Sequence, residues 1–263
     1  MESTNYEERG DLKISGSGSA GGGKYNLIKI SGSGTVKGDV HCRELSISGS
    51  GKIDGDIEAL YIKLSGSGKI LGNVKGEEIK VSGSGHFGGD VEVQQVKISG
   101  SSKVEGKVSA EEISISGSFK AVKKIEGGIM YHRGALACES CEVENFDSDG
   151  SFNITTLLSA DVIDIKLVGR CAAREIGGEI INIRKGTSRK GLMFSIFGSL
   201  FDQEGSLKSE VIEGDEIYLE NTEAKIVRGS KVIIGPGCSI EGIEYKDTLE
   251  IDKSSIVKDS VKL

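Results

Sequence analysis

This sequence predicts an all-β solenoid: a right-handed parallel β-helix with about 17 residues per coil and three short strands in each. Three observations carry that prediction. The tetrapeptide I/L/V-S-G-S recurs with its first residue at Ile14, Ile30, Ile47, Leu64, Val81, Ile98 and Ile115, at intervals of 16, 17, 17, 17, 17 and 17. Apolar residues keep fixed offsets from that residue. Glycine, which makes up 39 of the 263 residues, keeps fixed offsets between them. Collagen is excluded by the single proline and by glycine that does not recur every third residue. A flexible linker is excluded by the regularly placed Ile and Val.

With the first residue of each tetrapeptide taken as column 0, column −2 holds Leu12, Ile28, Leu45, Ile62, Ile79, Val96 and Ile113. Each coil therefore contains a strand whose alternate residues face inward. Column +6 (Val36, Ile53, Ile70, Phe87, Val104) and column +10 (Val40, Ile57, Val74, Val91, Val108, Ile125) mark two further strands. Glycines at +2, often at +4, and at +8 mark the corners, where they are expected to take the positive φ that only glycine adopts without strain. Column +12 is small or medium-sized (Cys42, Ala59, Gly76, Val93, Ala110), which suits an inward position beside a corner. Acidic residues at +9 and +11, among them Asp39, Asp56, Asp90, Glu58 and Glu92, read as a solvated face.

Beyond Phe119 the columns loosen but persist. Gly117-Ser118-Phe119 returns as Gly150-Ser151-Phe152, and the −2/0 pair continues at Phe146/Ser148, Ile163/Ile165, Ile181/Ile183, Ile217/Leu219, Val232/Ile234 and Leu249/Ile251. About 14 coils result. The chain divides into a polar arm (1–11), regular coils (12–125), degenerate coils (126–184), an insertion (185–210) and C-terminal coils (211–263). Left-handed hexapeptide β-helices require 18 residues per coil, so the persistent 17 favours the right-handed form.

Composition narrows function. A net charge of −7 with 5% aromatic residues argues against nucleic acid, which needs a basic footprint and stacking platforms. The start, MESTNYEERG, lacks the basic and apolar regions of a signal peptide, so a cytoplasmic location is expected. Five scattered cysteines suit a reducing compartment. The GSGK stretches lack the rest of a phosphate loop, so no nucleotide is expected. His41, His86 and His132 share no column, which argues against an enzyme with catalytic imidazoles repeated along the coils. Cys138 and Cys141 form a CxxC and are weak metal candidates, more simply read as small buried hydrophobes. No cofactor is expected.

Within the insertion, Leu192, Met193, Phe194, Phe197, Leu200 and Phe201 fall on the broad apolar face of a short helix, with Ile196 among them and Arg189 and Lys190 before it. Such a segment reads as a contact with a membrane surface through 189–201, with a partner, or with the solenoid itself. A peripheral position at the inner face of the membrane would follow from the first of these.

The stretch Ser48-Gly49-Ser50-Gly51-Lys52-Ile53-Asp54-Gly55-Asp56-Ile57 resembles the repeat of the bactofilins, bacterial polymer-forming cytoskeletal proteins. The resemblance is strongest over 27–125. It implies a non-enzymatic scaffold that assembles end to end without nucleotide, as a homopolymer or with a paralogue, in support of cell-shape, cell-wall or motility machinery. The degenerate second half, the insertion and the lack of an apolar N-terminal targeting motif depart from that pattern. Solenoid ends expose unpaired strand edges, which gives polymer contacts a physical basis at Leu12, Ile14, Ile251, Val257, Val261 and Leu263. The competing readings are a hexapeptide-type acyltransferase and a monomeric interaction platform.

Overall fold

The computed structural model describes residues 9–186 and 205–263, and all regular structure among them is β. The chain forms two compact units, divided between Ile129 and Met130, and each is a solenoid of parallel strands.

In the first unit, four-residue strands (Ser50–Ile53, Ser67–Ile70, Ser84–Phe87, Ser101–Val104) alternate with eight-residue strands (Ile57–Leu64, Val74–Val81, Val91–Ile98, Val108–Ile115). Each strand pairs with its equivalent 17 residues on: Ser50 lies opposite Ser67, Ile57 opposite Val74 and Leu64 opposite Val81. Within the longer strands the pairing passes from Ala59/Gly76 to Tyr61/Glu78 and skips the residues between. That break is the third corner. The three predicted segments are therefore present, two of them joined through a bend at column +13. Columns −2, 0, +6 and +10 form the core, with Ile28, Ile30, Leu45, Ile47, Ile53 and Ile70 all at 0% exposure.

Apart from Gly38, the corner glycines are explained by close approach rather than by backbone conformation. Positive φ among them occurs at Gly38 (94°), and the column +2 glycines do not share it. A Cβ on Gly66 would instead overlap the carbonyl oxygens of Gly49 and Ser48 in the coil below and lie 2.6 Å from Ser48 C. Coils meet backbone on backbone at this corner, and only glycine leaves room. At column +4 the neighbour is the column 0 side chain of the same coil: a Cβ on Gly51 would lie 2.7 Å from Ile47 Cδ1.

The acidic residues at +9 prove more than a solvated face. Asp39 Oδ1 accepts from the Asp56 N–H (2.9 Å), Asp56 Oδ1 from Asn73 (2.7 Å), Asn73 Oδ1 from Asp90 (3.0 Å) and Asp90 Oδ1 from Lys107 (2.8 Å). Glycine at +8 makes room for this ladder, since a Cβ on Gly89 would lie 2.6 Å from Asn73 Oδ1. Each rung satisfies a corner N–H much as a capping side chain satisfies a helix terminus. Asp56→Ala should therefore lower stability by about 1 kcal/mol in urea denaturation, while Asp56→Asn, the chemistry already present at Asn73, should be near neutral.

In most of the second unit, as already at Ser17–Ile30 and Ser33–Ile47 of the first, strands run through the corners: Ser151–Leu167, Arg170–Lys185, Ser206–Leu219, Thr222–Ile234 and Ser239–Ile251. Column +4, mostly glycine in the first unit, becomes Leu136, Phe152, Cys171, Leu207, Thr222 and Cys238. Column 0 partly compensates by shrinking to Ser148, over which Phe152 packs edge-on against Phe146 with ring centroids 5.7 Å apart. Gly186 and Ser206 lie at one corner of the solenoid. The Gly186 N–H donates to Leu167 O (3.0 Å) and the Ser206 N–H to Gly169 O (3.2 Å).

Candidate functional site

The coil formed by Leu249–Ile251 and the strand Ile256–Lys262 carries the most exposed apolar surface among the described residues. Val257 stands on Ile240, and Ser260 on Ile243. Ile240 and Ile243 are buried, yet Val257 is only half covered and Ser260 is exposed. Ile251 occupies column 0 directly above Ile234, but Ile251 is 42% exposed against 1% for Ile234. Among the described residues, no further coil stacks on these inward positions. The result is an open cross-section of the core, with Leu249, Ile251 and Val257 on its surface.

Charged and hydrogen-bonded groups frame this face. Lys258 pairs with Glu241 at 3.1 Å, and Lys262 Nζ donates to Asp247 O (3.2 Å) while standing over the Tyr245 ring. The Asp252–Ser255 turn is closed by the Ser254 hydroxyl and N–H, both donating to Asp252 Oδ1 (2.6 and 2.8 Å). Those donations hold the Asp252 carboxyl below its usual pKa.

The structure separates the predicted contact residues into groups. Ile251 and Val257 share the open face. Val261 lies over Glu244, in an outward column, and Leu263, whose N–H donates to Tyr245 O (2.8 Å), lines a lateral groove with Gly178, Gly214 and Gly229. Leu12 and Ile14 pair with Ile28 and Ile30 in the first unit, Ile14 buried and Leu12 half-buried. Leu249 was legible as a column −2 residue and belongs with Ile251. Leu192, Met193, Phe194, Phe197, Leu200 and Phe201 lie outside the described residues.

The CxxC resolves into two core columns. Cys138 lies opposite Ile154 in the column of Ala173, and Cys141 lies opposite Leu158 in the column of Ile176. Both are buried free thiols, and the Cys141 thiol sits 3.7 Å from Met130 Sδ. Burial pushes the Cys138 thiol up to about 12 and Cys141 well above its ordinary value, which disfavours the thiolate a metal needs. No group of three or more His, Cys, Asp or Glu side chains placed to hold a metal occurs among the described residues.

The histidines stand apart from one another. His41 Nδ1 lies 3.0 Å from Glu58 Oε2, and His86 Nε2 lies 3.8 Å from Glu105 Oε1, both at the surface. His132 is fully buried in column 0, with Nδ1 2.9 Å from Ser148 Oγ. No helix among the described residues is long and apolar enough to cross a membrane.

Residues 3–92 match the family model named Bactofilin and described as polymer-forming cytoskeletal. Two proteins of Bacillus subtilis (strain 168), both described as uncharacterized, are similar. YhbF is 48% identical over 90 residues, covering 34% of this chain and 34% of that protein. YhbE is 47% identical over 111 residues, covering 42% of this chain and 44% of that protein. The chain thus aligns with less than half the length of either relative. No solved structure matches.

Proposed function

We propose that this chain, whose residues 3–92 match the Bactofilin family model, is a non-enzymatic cytoskeletal scaffold that self-assembles end to end without nucleotide. The observation that carries the reading is the open face at Leu249, Ile251 and Val257. An apolar core cross-section bordered by an unpaired strand edge gains both hydrophobic burial and backbone hydrogen bonds when another coil stacks on it. The natural occupant is a coil with the same column spacing, in a second copy or a paralogue. Leu12 and Ile14 are the corresponding contact in the first unit, and Val261 and Leu263 flank the open face. In the cell the polymer would be cytoplasmic and would support cell-shape, cell-wall or motility machinery.

Negative-stain microscopy and sedimentation of the purified chain test this reading. Filaments or elongated oligomers are expected without nucleotide. Ile251→Asp combined with Val257→Asp should abolish assembly while circular dichroism and the thermal melt remain near those of the parent, because both residues are already exposed or half-exposed in the single chain. Monodisperse single chains across salt and concentration would overturn the proposal.

A further inference from the structure

In the second unit, the outward residue that follows the column +6 position alternates in charge over successive coils: Arg174, Glu210, Lys225, Glu241 and Lys258. Glu210 lies 3.5 Å from Arg174 and 2.9 Å from Lys225, and Glu241 lies 3.1 Å from Lys258. The rows on either side of this one change character at the last coil. One runs Lys208, Glu223, Ser239 and ends on Ile256; the other runs Glu213, Arg228, Glu244 and ends on Val261. Ile256 is 64% exposed and Val261 49%. Charged or polar positions thus turn apolar where no further coil covers them among the described residues. Lys258 between them stays charged, and the neighbouring Asp259, whose Oδ1 accepts the Ser260 N–H (2.9 Å), forms no ion pair among the described residues.

The last strand is palindromic in the way its side chains face. Val257 and Ser260 stand on the buried Ile240 and Ile243, in inward columns, whereas Ile256, Lys258, Asp259 and Val261 lie exposed about the bend between Lys258 and Asp259. A second copy of this strand, run antiparallel about that bend, sets inward residues against inward and outward against outward. Val257 then meets Ser260, Lys258 meets Asp259 and Ile256 meets Val261, each twice by two-fold symmetry. Opposite charges directly across a strand pair are favourable, and the partner's Asp259 supplies the acid that the alternating row requires beyond Lys258. The first coil of a second copy, stacked parallel, offers no such match. It would set Ser19 over Ile256 and Gly21 over Lys258, since these stand in the columns of Thr35 and Lys37.

We propose that the strand Ile256–Lys262 pairs antiparallel with the same strand of a second copy, and that Lys258 and Asp259 are the positioning residues that fix the register of this contact. The inference rests on the end-to-end reading above and names the occupant of the open face as the last strand of a second copy.

A charge exchange between full-length chains tests the register. Asp259→Lys and Lys258→Glu each set like charges opposite one another in both rungs, so each variant alone should self-associate about tenfold more weakly than the parent in sedimentation at low salt. An equimolar mixture of the two should recover the parental association, because each cation then meets an acid. Stacking on the first coil would give no such recovery, since it never brings Lys258 of one copy against Asp259 of another. Thermal melts should stay near that of the parent, both residues being exposed. Disulfide trapping reads the register directly. The five native thiols are buried and should stay silent under mild oxidation. Chains carrying Ile256→Cys, mixed with chains carrying Val261→Cys, should give a dimer on a non-reducing gel, and either variant alone should give little. Unaltered assembly of both charge variants, or no recovery in their mixture, overturns this proposal and leaves the end-to-end reading standing. A dimer between Ile256→Cys and Ser19→Cys chains overturns it too, since the first coil of a second copy would then be the occupant. A parent that stays a single chain overturns both.

Discussion

Replacing Gly66 by alanine is expected to destabilise the first unit by about 3 kcal/mol or more, an effect far above that of a typical glycine-to-alanine change. The added Cβ would overlap the Gly49 and Ser48 carbonyl oxygens, and these are backbone atoms that cannot rotate away. Gly49 O also accepts the Ser67 N–H (2.8 Å), so a shift that relieves the overlap breaks a rung between coils. The Gly66 N–H shares Ile47 O with the Ser65 N–H, at 3.1 and 2.9 Å, which pins the corner from its other side. Gly16 occupies the same column but has nothing within 4 Å of its virtual Cβ and no positive φ. Gly16→Ala should therefore be neutral, or stabilising by about 0.5 kcal/mol through the unfolded chain. Urea midpoints of the two variants separate the explanations. If Gly66→Ala unfolds together with Gly16→Ala, close approach between coils is not what selects glycine at column +2.

That contrast also shows how far a single sequence could be read. The 17-residue interval and the apolar columns placed Ile30, Ile47, Ile53 and Ile57 in the core, because a strand's inward residues recur with the coil and nothing local disturbs them. The glycine columns were located correctly, but the expected cause, positive φ, holds at Gly38 and not along column +2. A corner built on φ and a corner built on contact with the coil below select the same residue, and only the distance from Gly66 to Ser48 distinguishes them. Asp56 was read as solvated because its partner, the Asn73 N–H, lies 17 residues away and leaves no trace in local pattern. At the candidate site, Ile251 and Val257 were legible from their columns. Val261 stands over Glu244 in an outward column, a placement that local pattern does not reveal because a bend separates it from Val257 in the same strand.

Lowering the pH from 6.5 to 4 should remove about 3 kcal/mol from the second unit, through His132 alone. The ring is fully buried, and burial pushes its pKa down from 6.5 to about 4, with a backbone contact at Gly134 offsetting only part of the shift. The surroundings offer no charge to stabilise an imidazolium. The neighbours are the Ser148 hydroxyl at Nδ1 and the edge-packed Phe152 ring, and Nε2 has no hydrogen-bond partner of good geometry among the described residues. Folded His132 is therefore neutral, while the unfolded chain takes up a proton below 6.5. The contribution is complete above pH 6.5, falls as pH drops, and levels off below about 4, where both states are protonated; a shift of that size corresponds to about 3 kcal/mol. The carboxylates with lowered pKa values, such as Glu126 and Glu210, titrate at the acid end of this range or beyond it and sit at the surface, so they contribute little between pH 6.5 and 5. Equilibrium unfolding followed at several pH values should give this slope in the parent and lose it in His132→Leu. A slope unchanged by that substitution would assign the acid sensitivity to another group.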